Sequence, residues 1–285
     1  MSPKKAIALF CLTAILIATV FAKASPSKDI TTRMAVAHRH DRPMPTAIAQ
    51  AEPTVPVTAQ QVEYATVGGQ TVTGYLAQPE SGTELPGLIA IHEWWGLNEN
   101  IEAMARRLAG EGYQVLAVDL YSGQTAQTPE AARELMQAVM QNPLPARDNL
   151  QQAYEYLTQQ DASNIGVIGW CFGGGWALET ALAMPDKLDA AVIYYGRLVT
   201  VPAELAVLDA PILGIFGAED QSIPVEQVRD FEQALNSLDK TAEIHIYEGA
   251  GHAFANPSGD RYVPEAAAAA WQETIQFLNK YLAAY

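Results

Sequence analysis

From residue 61 onward, short apolar runs alternate with longer segments whose apolar residues recur at helical spacing. No other feature constrains the fold as strongly. The stretches 61–67 and 70–77 alternate polar and apolar residues around Gly68-Gly69, a β-hairpin pattern. The runs 87–92, 114–120, 164–169, 190–195, 211–217 and 243–247 are short and apolar, as expected of strands covered on both faces. Between them lie helical patterns over 98–110, 129–140, 147–159, 224–238 and 264–281, and one from the glycines at 173–175 to about 184. In the first, Ile101, Met104, Ala105 and Leu108 share a face, and Gly110 and Gly112 end the run. Strands that alternate with helices of this length require crossover connections. The expectation is therefore one α/β domain over 61–285, with a mostly parallel sheet, helices on both faces and an N-terminal hairpin.

The N-terminus has a different design. Lys4 and Lys5 precede an apolar run over 6–22, and Ala22-Lys23-Ala24 supplies a small-x-small site. This order reads as a secretory signal peptide over 1–24, with an uncleaved membrane anchor as the alternative. Residues 25–60 are rich in Ala, Pro, Thr and Ser and read as a flexible linker; His38 and His40 within it receive no function. Cleavage would remove Cys11 and leave Cys171 as the one cysteine of a periplasmic or extracellular protein. A thiol outside the reducing cytosol is a liability unless it is buried or used.

Charge narrows the partners. Lys and Arg total 17 against 32 Asp and Glu, a formal charge of −15. Such a surface repels phosphate backbones, so no nucleic acid is expected, and no membrane unless the N-terminal segment stays in place. A small-molecule substrate remains.

The chemistry concentrates at Gly169-Trp170-Cys171-Phe172-Gly173, which lies between an expected strand and an expected helix. That is the context of a nucleophile elbow, a strained turn that projects its central side chain above the sheet. The helix N-terminus adds positive partial charge, which favours thiolate. The competing reading of Cys171 is a small buried hydrophobe. Downstream, Asp220 follows the strand that ends at Phe216, and His252 follows the one that ends at Tyr247. A hydrolase of this architecture orders its triad as nucleophile, acid, histidine, on loops at the carboxyl edge of the sheet. Asp220 would orient the imidazole and His252 would shuttle protons. Glu219 competes for the acid role, and Ser222 is the expected cap of the next helix.

Together with His92-Glu93-Trp94-Trp95-Gly96-Leu97-Asn98, Asp119-Leu120-Tyr121, Tyr194-Tyr195-Gly196 and Gly251-His252-Ala253-Phe254, the elbow resembles the dienelactone hydrolase (carboxymethylenebutenolidase) family of the α/β-hydrolase fold, over about residues 62–282. The resemblance implies that Glu93 accepts the thiol proton when substrate binds. It also implies an oxyanion site at the backbone N–H groups of Phe172 and Trp94. Two arginines would hold a substrate carboxylate; one matches Arg133, whereas Asn256 stands at the other position. Asparagine has no cationic fork, which leaves Arg197 or Arg261 as candidate substitutes. The resulting expectation is hydrolysis of a lactone or small carboxylic ester, with no metal and no organic cofactor. The same triad on a thioester or amide, and a non-catalytic binding protein on this fold, are the alternatives.

Overall fold

A computed structural model describes residues 52–257 and 261–283. The expected signal segment, most of the expected linker, Cys11, His38 and His40 lie outside the described residues. Eight strands form one sheet in the order β1-β2-β4-β3-β5-β6-β7-β8. The strands are β1 (Val57–Val67), β2 (Gln70–Pro79), β3 (Gly87–Ile91), β4 (Gln114–Val118), β5 (Ile165–Trp170), β6 (Ala190–Tyr194), β7 (Ile212–Gly217) and β8 (Ala242–Tyr247). The hairpin β1–β2 and the pair β2–β4 are antiparallel, and every pairing from β4 to β8 is parallel.

The helices are α1 (Glu99–Gly110), α2 (Pro129–Gln141), α3 (Leu144–Gln159), α4 (Phe172–Ala183), α5 (Pro202–Leu205), α6 (Val225–Ser237) and α7 (Pro264–Leu282). Their starts carry local signals. The Asn98 side chain accepts the Ile101 N–H at 3.3 Å, and Thr128 Oγ1 accepts that of Ala131 at 3.3 Å. Each cap satisfies a donor that the first turn would leave unbonded. On one face α1 and α7 meet where the Arg107 guanidinium lies 3.7 Å over the Trp271 ring, while α3 and α4 cover the other. Sandwiched this way, β3 to β7 are buried along their whole length, as their unbroken apolar runs demand. Edge strand β8 is half-buried.

Two element starts differ from expectation by more than two residues. Strand β1 starts at Val57, inside the stretch read as linker; Val57–Gln60 pair with Leu76–Pro79, and the Thr54 hydroxyl donates to the Gly110 carbonyl. Val57-Thr58-Ala59-Gln60 do alternate apolar and polar residues, but four residues beside an Ala- and Pro-rich stretch are too short a run to mark a strand, and pairing with β2 decides their conformation. Helix α3 begins at Leu144 rather than at 147, so Arg147 falls in its first turn.

After β3 the chain turns back to form β4 on one side, then crosses to form β5 on the other. The loops after β3 and β5 therefore diverge and open a crevice at the carboxyl edge of the sheet. Glu93, Cys171, Asp220 and His252 all follow strands on this edge.

Candidate active site

Cys171 is the single residue between β5 and α4, with φ 57° and ψ −113°, a conformation L-residues rarely adopt. Hydrogen bonds hold it on both sides: its N–H donates to Tyr194 O at 2.9 Å, and its carbonyl accepts the Gly175 N–H at 3.2 Å. The flanking glycines are required by proximity. A Cβ on Gly173 would run into the carbonyl oxygens of Ile91 and His92, and one on Gly169 into that of Gly173. The motif thus reflects how closely α4 approaches β3 and β5.

His252 donates from Nδ1 to Asp220 Oδ2 at 2.7 Å, with both residues buried. The other Asp220 oxygen accepts the N–H groups of Ser222 at 2.7 Å and Ile223 at 2.9 Å, fixing the carboxylate plane. Burial alone would push this carboxyl up. The His252 charge, their hydrogen bond and the two amides outweigh it, and the pKa falls below the ordinary value. Glu219 is exposed, so between the two candidate acids only Asp220 meets the imidazole. Ser222 does not cap α6; that helix starts at Val225 with Pro224 at its N-cap and no side-chain cap, and Ser222 lines the cavity instead. His245 lies on β8, 3.9 Å from Glu273.

Glu93 is 4 % exposed, immediately beyond β3. The Asn256 side-chain amide donates to Glu93 Oε2. Asn256, expected at the substrate, instead holds this carboxylate and is not among the residues lining the cavity. Burial, followed by the negative charge of Glu93, drives the Cys171 thiol pKa well above its ordinary value; the Phe172 amide and the Arg261 charge pull the other way and are outweighed. The pull toward thiolate expected from the helix N-terminus therefore loses to desolvation, and the thiol rests protonated.

His92 ties this corner together, a role the sequence did not signal. Its Nδ1 bonds the Glu93 carbonyl and its Nε2 accepts the Leu120 N–H at 3.1 Å. These contacts fix the tautomer and join the loops after β3 and β4. Trp94 is fully buried, its ring centroid 5.0 Å from that of Trp95.

A cavity of about 520 Å³ opens beside the elbow, with Cys171 and His252 on its wall. Phe172, Tyr195, Ser222 and Ile223 adjoin them, and Met136, Met140, Trp176, Leu198 and Val199 extend an apolar surface. The Tyr195 ring packs against His252 at 5.3 Å between centroids. Arg133 is exposed on α2 and does not line the cavity; the arginines that do are Arg147 and Arg197. Arg261 acts on Cys171 and Tyr195 through its charge. Arg147 carried no sequence signal, because a half-exposed arginine in a helix is the ordinary surface pattern. Among the described residues, no group of three or more His, Cys, Asp or Glu is arranged to hold a metal ion.

Comparison with known proteins bears on this arrangement. A sequence model of the Dienelactone hydrolase family matches residues 72–282. "Protein usf" of Aquifex pyrophilus is 32 % identical over 231 residues, covering 78 % of this chain and 99 % of that protein. "Putative carboxymethylenebutenolidase" of Saccharolobus solfataricus is 31 % identical over 249 residues, covering 74 % and 95 %. The solved structure "Putative Dienelactone Hydrolase" from Klebsiella pneumoniae is 29 % identical with a TM-score of 0.71, covering 79 % of this chain and 100 % of its own. The matched span runs from β2 to the end of α7 and so includes every strand-end loop of the crevice. With this fold, this match and these relatives, the chain belongs to the dienelactone hydrolase family and is a hydrolase of carboxylic ester bonds.

Proposed function

We propose that the protein hydrolyses a lactone or small carboxylic ester with Cys171 as nucleophile. The observation that carries this reading is a single cavity wall bearing both Cys171 and His252, with His252 fixed on Asp220 at 2.7 Å. As substrate binds, the thiol proton passes to Glu93 and the sulfur attacks the acyl carbon. The amides of Phe172 and Trp94 take up the developing oxyanion. The imidazolium of His252, balanced by Asp220, gives its proton to the departing alkoxide, leaving an acyl-thioester. His252 then takes a proton from water, the hydroxide releases the acid, and Glu93 returns its proton to the sulfur. The sum is one water and one ester consumed, one acid and one alcohol formed.

A thiol that ionises only with substrate in place suits an exported protein, since thiol oxidises more slowly than thiolate. Export is the second part of the proposal and rests on residues 4–24. Protein recovered from its native source is expected to begin at or near Ser25; an intact Met1 on membrane-bound protein would overturn export in favour of the anchor. For the chemistry, lactones and short-chain aryl esters are assayed with wild type and Cys171→Ala in parallel. Loss of turnover in the variant is expected, and equal turnover would remove Cys171 from the reaction.

A further inference from the structure

One wall of the cavity is charged, and the charges are arranged. Glu179, on the helix that starts at the elbow, faces two arginines from different elements. Its Oε1 bonds Arg147 in the first turn of α3, and its Oε2 lies 3.8 Å from Arg197, in the loop after β6. All three residues line the cavity that contains Cys171 and His252. Arg147, Glu179 and Trp176 also line a second cavity of about 320 Å³, so they form the partition between the two. Beyond Cys171 and His252, the rest of the main cavity wall is largely apolar, apart from Tyr195, Thr200, Ser222, Gln227 and exposed Glu204.

We propose that Glu179 sets the charge selectivity of this site. Its carboxylate stands where an anionic group of a substrate would meet Arg147 and Arg197. By standing there it reserves the site for uncharged esters and lactones. The proposal rests on the reading of the cavity as the ester-binding site and names its substrate class. Two arginines converging on one cavity would otherwise make a carboxylate subsite, since guanidinium groups hold carboxylates bidentately. Glu179 already stands between them, with one carboxylate oxygen toward each arginine. Both arginine side chains are half-exposed, at 48 % and 49 %, so the pairs themselves add little stability. What persists whichever way the arginines swing is the negative charge fixed on α4. Glu179 cuts the charge of the two arginines to +1, and with Glu204 the Arg and Glu side chains of the cavity wall sum to no net charge, inside a molecule of formal charge −15.

The test uses two acyl groups of matched length, 4-nitrophenyl butyrate and mono-4-nitrophenyl succinate, one neutral and one carrying a carboxylate. The readout is the ratio of kcat/KM for the anion to that for the neutral ester within one protein, which cancels any loss of folded enzyme. Glu179→Gln is expected to raise this ratio by about tenfold or more at low salt, shrinking as salt is added. Glu179→Asp, which keeps the charge, is expected to stay near the wild-type ratio. Adding Arg197→Gln to Glu179→Gln should cancel part of the gain. An unchanged ratio in Glu179→Gln, or an equal rise in Glu179→Asp, overturns the proposal. If neither ester is turned over by wild type, the ester reading itself fails. The charge proposal is then decided by binding of monomethyl succinate against dimethyl succinate, followed through Trp fluorescence, where the same shift in Glu179→Gln is required.

Discussion

At Cys171 desolvation and charge act together, since burial and the neighbouring Glu93 both hold the proton on sulfur. Glu93→Gln removes the charge and is expected to move the pH profile of iodoacetamide alkylation to lower pH. At a pH well below both values, lowering the thiol pKa by one multiplies the thiolate fraction about tenfold. On the proposed mechanism, hydrolysis by the same variant should also fall, because the group that would accept the thiol proton is gone. A profile that stays in place would show that the Glu93 charge does not reach the sulfur. Asp220 behaves in the opposite sense: its pKa is lowered on folding, so ionisation stabilises the fold above the unfolded carboxyl value of about 3.9 and is lost as pH falls through the folded value. The stability gap between wild type and Asp220→Asn, measured by urea unfolding, should be present at about pH 5 and shrink as pH falls below about 4. At neutral pH, Asp220→Asn should also cost on the order of 10³–10⁴ in kcat, by leaving His252 in the wrong tautomer. Glu219→Gln, whose carboxylate is exposed, should retain activity.

The elbow is an element-scale device, a strand and a helix brought so close that one residue must turn between them. Its cost resides in the backbone at φ 57°, where a Cβ is strained and a glycine is not. Two variants that both lack the thiol separate backbone strain from side-chain loss. Cys171→Gly should be more stable than Cys171→Ala by about 1 kcal/mol, although glycine is normally the more destabilising of the two. Thermal unfolding in which Ala is the more stable would mean that the turn stores no strain. The hairpin uses glycine differently: Gly68 and Gly69, at φ 57° and 80°, make the two-residue turn whose twist matches its strands.

Across the whole molecule, the sheet extends further toward the N-terminus than the composition of that region suggests. Residues 57–60 complete β1 against β2, and Thr54 reaches the end of α1. A chain beginning at residue 61 should therefore be less stable than one beginning at Ser25, by about 2 kcal/mol or more, since several ladder hydrogen bonds disappear together. Equal urea midpoints would mean that this part of β1 contributes nothing to the fold.

Much of the fold was legible because period and length are local properties. Strand runs such as Ile165-Gly166-Val167-Ile168, the Gly68-Gly69 turn and the capped helices each announce themselves within ten residues. The elbow was legible for the same reason: strand, Gly-x-Cys-x-Gly and helix are contiguous. Asp220 and His252 followed from their positions after strands, and Glu93 from its phrase. Composition alone determines the charge of −15 and hence the kind of partner this surface repels. Only tertiary structure could decide between Asp220 and Glu219, adjacent residues whose burial differs completely. Only it could move Asn256 from the substrate to Glu93, or exchange Arg133 for Arg147 and Arg197 as the cavity's cations. It also reversed the expected bias of the thiol, because the helix terminus is a local influence whereas desolvation is imposed by everything packed around Cys171. The pairing of Glu179 with Arg147 and Arg197 spans two helices and a loop far apart in sequence. A charge acts through space, and its neighbours in space exist only once the chain has folded.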